Sequence, residues 1–287
     1  MFTHLIQVDE LLQHRGSNWL VFDVRYNLQQ PDAGRDAYLA QHIPGAFYLD
    51  CHHDLAGEAR GTNGRHPLPD RKAFAARMRS KGLSHRTQVV IYDDGNAMFA
   101  ARLWWMLRWI GHTAVAVLDG GWHAWQQAGG AVESGQNSPR VSEAQVIQSL
   151  PLSSHVPMPT VTAQHIMENL AEPVFVVLDA RAPERFRGEE EPIDRVGGHI
   201  PGALNRPMSL NLAENGQFKR PEQLQQEFQA LLGDTPPQHV VNQCGSGITA
   251  CHNLFAMELA GLSGSALYPG SWSEWVSDPQ RPVATAE

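Results

Sequence analysis

The sequence predicts a two-domain α/β protein in which each domain is a parallel sheet flanked by helices on both faces. Three observations predict it. The chain carries an internal duplication. Each copy alternates short β-branched runs with helix-like stretches. The strand runs read as buried, as strands covered on both faces do.

The duplication is read from four matches in one order. Val21-Phe-Asp-Val-Arg25 resembles Val177-Leu-Asp-Ala-Arg181, and His42-Ile-Pro-Gly-Ala46 recurs as His199-Ile-Pro-Gly-Ala203. Val89–Gly95 resembles His239–Gly245, and Leu118–Trp125 resembles Tyr268–Trp275. The offsets stay between 150 and 157 residues. A chain of 287 residues has room for two such units, each with its own core.

In the first copy, strands are expected at Trp19–Val24, Val89–Tyr92 and Ala114–Leu118, with helices over Arg71–Lys81 and Met98–Ile110. In the second, strands are expected at Val174–Leu178, His239–Asn242 and Ser265–Tyr268, with helices over Pro221–Leu232 and Ile248–Leu259. The stretch 138–159 holds Pro139, Pro151, Pro157 and Pro159 among serines and reads as a linker. The expected domains are therefore 1–137 and 160–287. Ligands of such sheets sit at the carboxyl ends of the strands.

Composition excludes several classes. Thirty acids against 22 lysines and arginines give a net charge of −8, so no broad basic surface serves nucleic acid or an anionic membrane. No apolar run reaches the ~20 residues of a membrane span. Residues 1–10 lack a basic stretch followed by an apolar core, so no secretory signal is expected. Three cysteines, Cys51, Cys244 and Cys251, cannot build a disulfide framework, and a cytoplasmic setting is expected.

The informative position is where the copies differ. Cys244 follows a strand and opens Gly245-Ser-Gly-Ile-Thr249 before a helix. Counting back 28 residues from Trp272 and from Trp122 aligns Cys244 with Asp94, a carboxylate that cannot act as a sulfur nucleophile. Amides at a helix start point at the sulfur, and Gly245 and Gly247 let the loop curl into a nest. Such a site favours an anionic sulfur. The plain alternative is a buried cysteine packing as a small hydrophobe.

Taken together, Asp-x-Arg, His-Ile-Pro-Gly-Ala, Cys244-Gly-Ser-Gly-Ile-Thr-Ala250 and Gly270-Ser-Trp-Ser-Glu-Trp275 resemble the tandem rhodanese-domain sulfurtransferases, nearly end to end. The resemblance implies two rhodanese-like domains, the first inactive, with Asp94 at the cysteine position, and the second catalytic. It implies a ping-pong enzyme without a cofactor. Sulfane sulfur passes from a small-molecule donor to Cys244 as a persulfide, then to cyanide or a thiol. Residues Gly245, Ser246, Gly247, Ile248 and Thr249 would cradle the persulfide, and Arg185 would bind the anionic donor. Arg181 reads instead as a structural pair with Asp179 or Glu184, and Arg187 as either.

Thiosulfate-preferring members of the family often carry basic residues in the loop, and this loop has none. Cys-Gly-Ser-Gly is similar to the 3-mercaptopyruvate sulfurtransferases. In that pattern Ser246 polarises the keto acid or helps proton transfer, paired with a first-domain histidine and aspartate, expected at His42 and Asp36. A second donor-binding arginine is displaced within Glu191-Pro-Ile-Asp-Arg195, which leaves Arg195 as its candidate. Tyr26 stands where the family has a pocket-facing aromatic. Expected partners are the donor, a thiol or cyanide acceptor and a reducing protein such as thioredoxin, with neither nucleic acid nor membrane. The alternatives are a thiosulfate:cyanide sulfurtransferase and a sulfur carrier or regulatory module without turnover.

Other chemistries fit less well. A phosphatase loop needs arginine six residues after its cysteine, and Ala250 stands there. In Cys51-His-His-Asp54 adjacent side chains cannot all face one ion, so no metal site is expected. Cys251 lies about two turns into the helix and reads as packed.

Overall fold

The computed structural model describes residues 1–14, 19–138 and 158–285. The chain divides into two compact units. The first comprises Met1–Gly57, Leu68–Pro157 and Asn215–Gln217; the second comprises Glu58–Pro67, Met158–Glu214 and Phe218–Glu287. The units differ from the expected division at 137 by two exchanges, Asn215–Gln217 going with the first unit and Glu58–Pro67 with the second. Within that unit the Arg65 amide donates to Ser273 Oγ at 3.1 Å, and a Cβ on Gly64 would lie 2.6 Å from the Gly270 carbonyl oxygen. The expected linker lies almost wholly outside the described residues.

The first unit is built from β1 (Leu5–Ile6), α1 (Val8–His14), β2 (Trp19–Asp23), α2 (Ala33–Ala40), β3 (Phe47–Tyr48), α3 (Arg71–Ser80), β4 (Gln88–Tyr92), α4 (Ala100–Trp109), β5 (Val115–Leu118) and α5 (Gly121–Gln127). Its five strands are all parallel, in the order β1-β5-β4-β2-β3. Alternation within the strands splits the core. Val21, Val90, Tyr92, Ala116 and Leu118 pack with Trp122 and Trp125 of α5. Val89, Ile91, Val115 and Val117 are equally buried, so both faces are covered. Helix α3 starts at Asp70, whose carboxylate accepts the Ala73 amide at 2.8 Å.

The second unit follows with α6 (Ala163–Ala171), β6 (Val176–Asp179), α7 (Pro183–Arg187), β7 (Leu204–Asn205), α8 (Pro221–Leu232), β8 (Val240–Gln243), α9 (Thr249–Leu259), β9 (Ala266–Leu267) and α10 (Ser271–Trp275). Its sheet is parallel, in the order β7-β6-β8-β9. Val177, Val241, Ala266 and Tyr268 pack with Trp272 and Trp275, repeating the core of the first unit. Each expected strand and helix is present, with ends shifted by one or two residues. The two-residue strands β1, β3 and β7 carry too little periodicity to be read from sequence.

The repeated motifs are clamps. Arg25 grips Asp23 through Nε and Nη2, donates to the Gln41 carbonyl at 2.7 Å and stacks 4.6 Å from the Trp122 ring. Arg181 does the same with Asp179, the Gly198 carbonyl at 2.6 Å and the Trp272 ring at 4.5 Å. His42 sets Nδ1 2.7 Å from the Tyr38 carbonyl and stacks on the Tyr38 ring. His199 sets Nδ1 2.8 Å from the Phe186 carbonyl and stacks on Phe186.

Candidate active site

Strand β8 delivers Cys244 to the carboxyl end of the second sheet, and α9 begins at Thr249. The turn between them needs glycine at 247. Gly247 has φ +82°, and a Cβ there would collide with the Pro269 carbonyl oxygen. This conformation sends the Gly247 amide to Cys244 Sγ at 3.1 Å. The Cys244 amide donates to Ser271 Oγ at 3.1 Å, and Ser271 Oγ donates to the Tyr268 carbonyl at 2.9 Å. Ser271 holds φ +53°, a left-handed conformation that costs a non-glycine residue about 1–2 kcal/mol. Its first-unit counterpart is Gly121, also at φ +53°. The strain sits where the Cys244 backbone is fixed. Cys244 is buried, and no disulfide joins the three cysteines.

Sheet register corrects the expected counterpart of Cys244. Asp23 pairs with Tyr92 and Asp179 with Gln243, so the next residues are Asp93 and Cys244. The Trp122 amide likewise donates to Asp93, as the Trp272 amide does to Cys244. Asp93, not Asp94, holds the place of Cys244. The first-copy loop has one more residue before its tryptophan, which a gapless count from Trp122 cannot register. Asp93 fills its own nest, accepting amides of Gly95 and Ala97 on Oδ1 and of Phe99 and Ala100 on Oδ2 at 3.0–3.2 Å. Burial pushes its carboxyl above the ordinary range, and the four amides only partly offset that.

Beside Cys244, Ser246 Oγ lies 2.9 Å from His66 Nδ1, and both residues are 7% exposed. His66 belongs to the Glu58–Pro67 segment of the second unit. The histidine expected at Ser246 was His42, and the structure supplies His66 instead. His42 is spent within the first unit, where Nε2 also lies 3.1 Å from Asn137 Nδ2. Asp36 is exposed in the first turn of α2.

Two guanidiniums crowd Gly245. A Cβ there would lie 3.0 Å from Arg65 Nη2 and 3.5 Å from Arg185 Nη1. Arg185 donates from Nε and Nη2 to Glu191, at 3.1 and 2.7 Å, and from Nη2 to Asp194 at 3.2 Å. Arg65 Nη1 donates to the other oxygen of Asp194. Arg195 is exposed, and Arg187 pairs with exposed Glu189. Sequence reading missed Arg65 and His66. Their signal was the stretch 58–67 with no strand or helix period, since long ordered loops in compact domains commonly carry function.

Tyr26 lines a first-unit cavity of about 310 Å³ with Asp93, Asp94, Asn96, Met98 and Phe99. Burial, then nearby Asp50, pushes its hydroxyl up to about 12, so it stays protonated at neutral pH.

The rhodanese-like domain family matches residues 7–128 and again 162–278. The chain belongs to the rhodanese-like family. A relative from Pseudomonas aeruginosa, "Probable 3-mercaptopyruvate sulfurtransferase", is 48% identical over 93% of each chain. The thiosulfate sulfurtransferase of Cricetulus griseus is 36% identical over 91% of this chain and 86% of its own. The solved 3-mercaptopyruvate sulfurtransferase of Leishmania major superposes with a TM-score of 0.84 at 29% identity, over 97% of this chain and 75% of that one. Two rhodanese-like units, each on a parallel sheet, are thus the architecture of this chain. Among the described residues no helix is long and apolar enough to cross a membrane.

Proposed function

We propose that this rhodanese-like protein is a sulfurtransferase that takes sulfur from 3-mercaptopyruvate and passes it, through a Cys244 persulfide, to cyanide or a thiol. The observation that carries the donor choice is the Ser246–His66 pair two residues from Cys244. Thiosulfate surrenders its outer sulfur by S–S cleavage, and sulfite leaves without needing a proton. Mercaptopyruvate must break a C–S bond, and its carbon has to be protonated. A hydroxyl–imidazole pair beside the thiol suits the second reaction.

The steps balance. The Cys244 thiolate attacks the donor sulfur, an S–S bond forms, and the C–S electron pair leaves as pyruvate enolate. The sulfhydryl proton passes by way of Ser246 and His66 to the enolate carbon, which gives pyruvate and an anionic persulfide. The amides of Gly245–Thr249 stabilise that anion. Cyanide then attacks the outer sulfur, leaves as thiocyanate and restores the thiolate. Arg185 holds the donor carboxylate; the relay expected of His42 and Asp36 passes to His66. A protein acceptor would be a reducing protein such as thioredoxin, and the reducing cytoplasm suits the Cys244 thiol.

The test is kcat/KM for both donors with cyanide as acceptor. Mercaptopyruvate should win by about tenfold or more, the rate equivalent of ~1.4 kcal/mol. Thiosulfate equal or better contradicts the donor choice.

A further inference from the structure

We propose that Asp194 is a tethered anion that competes with the donor for the charge of Arg65 and Arg185 and so sets the affinity for anionic donors. Its two carboxylate oxygens bridge Arg65 and Arg185, the guanidiniums that crowd Gly245 next to Cys244. A donor carboxylate or sulfonate held beside the sulfur would meet the same two guanidiniums, first through Arg65 Nη2 and Arg185 Nη1, which lie nearest Gly245. The charge of the donor's seat is therefore already matched by an anion that belongs to the protein.

Charge counting sharpens the point. Arg65, Arg181 and Arg185 face Asp179, Glu191 and Asp194, three cations against three anions. With all six ionised the cluster has no surplus charge for a donor. A surplus appears only when one carboxylate leaves or takes a proton. Asp179 is locked under Arg181 at the end of β6. Glu191 is built into its turn, accepting the Ile193 and Asp194 amides at 3.2 and 3.1 Å. The Asp194 carboxylate is held by Arg65 and Arg185. Its neighbours Ile193 and Arg195 are exposed, and among the described residues no backbone amide holds its carboxylate as two hold that of Glu191. Burial also lifts its carboxyl above the ordinary range, against the pull of Arg65 and Arg185, so its hold on the seat is weakened.

A seat open one tenth of the time raises the apparent KM about tenfold. Removing the tethered charge while keeping its shape should recover that factor. This inference rests on Cys244 being the sulfur acceptor. Asp194→Asn should lower KM for mercaptopyruvate and thiosulfate by about threefold or more, and lower the Kd of pyruvate, an unreactive monoanion, by a similar factor in calorimetry. The gain should vanish in the Arg65→Gln/Asp194→Asn double variant. A structural role for Asp194 predicts the opposite sign, because losing the bridge would loosen both arginines. Unchanged or higher KM and Kd values overturn the proposal. If the wild-type chain turns over neither donor, the sulfurtransferase reading fails by itself. The pyruvate titration still decides the role of Asp194.

Discussion

Ser246 Oγ and His66 Nδ1 lie 2.9 Å apart across 180 residues of sequence, two positions from Cys244. Ser246→Ala and His66→Asn should each lower kcat/KM for mercaptopyruvate by about 10²-fold, the low end for general acid–base groups. Thiosulfate turnover should fall far less, since sulfite leaves unprotonated. Thiocyanate formation with each donor checks it. Equal losses on both donors would make the pair structural.

Asp194 gives the donor KM a pH dependence of definite sign. Burial raises its carboxyl, Arg65 and Arg185 oppose that, and Glu191 adds to it. Burial also raises Glu191, but the Arg185 hydrogen bond and the Asp194 amide outweigh it, so Glu191 stays ionised as Asp194 protonates. As pH falls through the raised titration of Asp194, its protonation releases the arginines, and KM should fall. In Asp194→Asn the KM should be low at pH 7 and flat. Initial rates from pH 5 to 8 measure both profiles.

Ser271 combines a hydroxyl that fixes the Cys244 amide with a left-handed backbone. Ser271→Ala loses the hydroxyl and keeps the strain. Ser271→Gly loses the hydroxyl and relieves it. The alanine variant should therefore be the less stable of the two, by about 1 kcal/mol in urea unfolding.

Arg181 is buried on Asp179 and stacked against Trp272. Arg181→Met should cost about 3–5 kcal/mol, because it leaves the Asp179 carboxylate buried and unpaired. Denaturation midpoints at fixed pH report the loss.

The fold and the Cys244 turn were legible because their signals are local. A repeat with strand and helix periods fixes two parallel sheets. A contiguous Cys-Gly-Ser-Gly turn needs only its own glycines to be formed. Arg65 and His66 were illegible because nothing near them in sequence says that their loop joins the second unit. Asp94 was expected in the place that Asp93 holds because one extra residue before Trp122 shows only in sheet register. His42 was expected beside Ser246 because the family pattern pairs that serine with a first-domain histidine, yet His199 repeats its stacking and carbonyl contact, so the motif holds the fold. Asp194 carried no signal of its own beside the displaced Arg195. Its contacts with two arginines exist only once the chain is folded.

The most direct measurement is the intact mass of the protein after brief exposure to mercaptopyruvate, without acceptor, for wild type and Cys244→Ser. The account predicts a gain of about 32 Da, one sulfur atom, on the wild type alone, lost when cyanide is added, with turnover abolished in the serine variant. An equal gain on Cys244→Ser, or full turnover by it, would contradict Cys244 as the sulfur carrier.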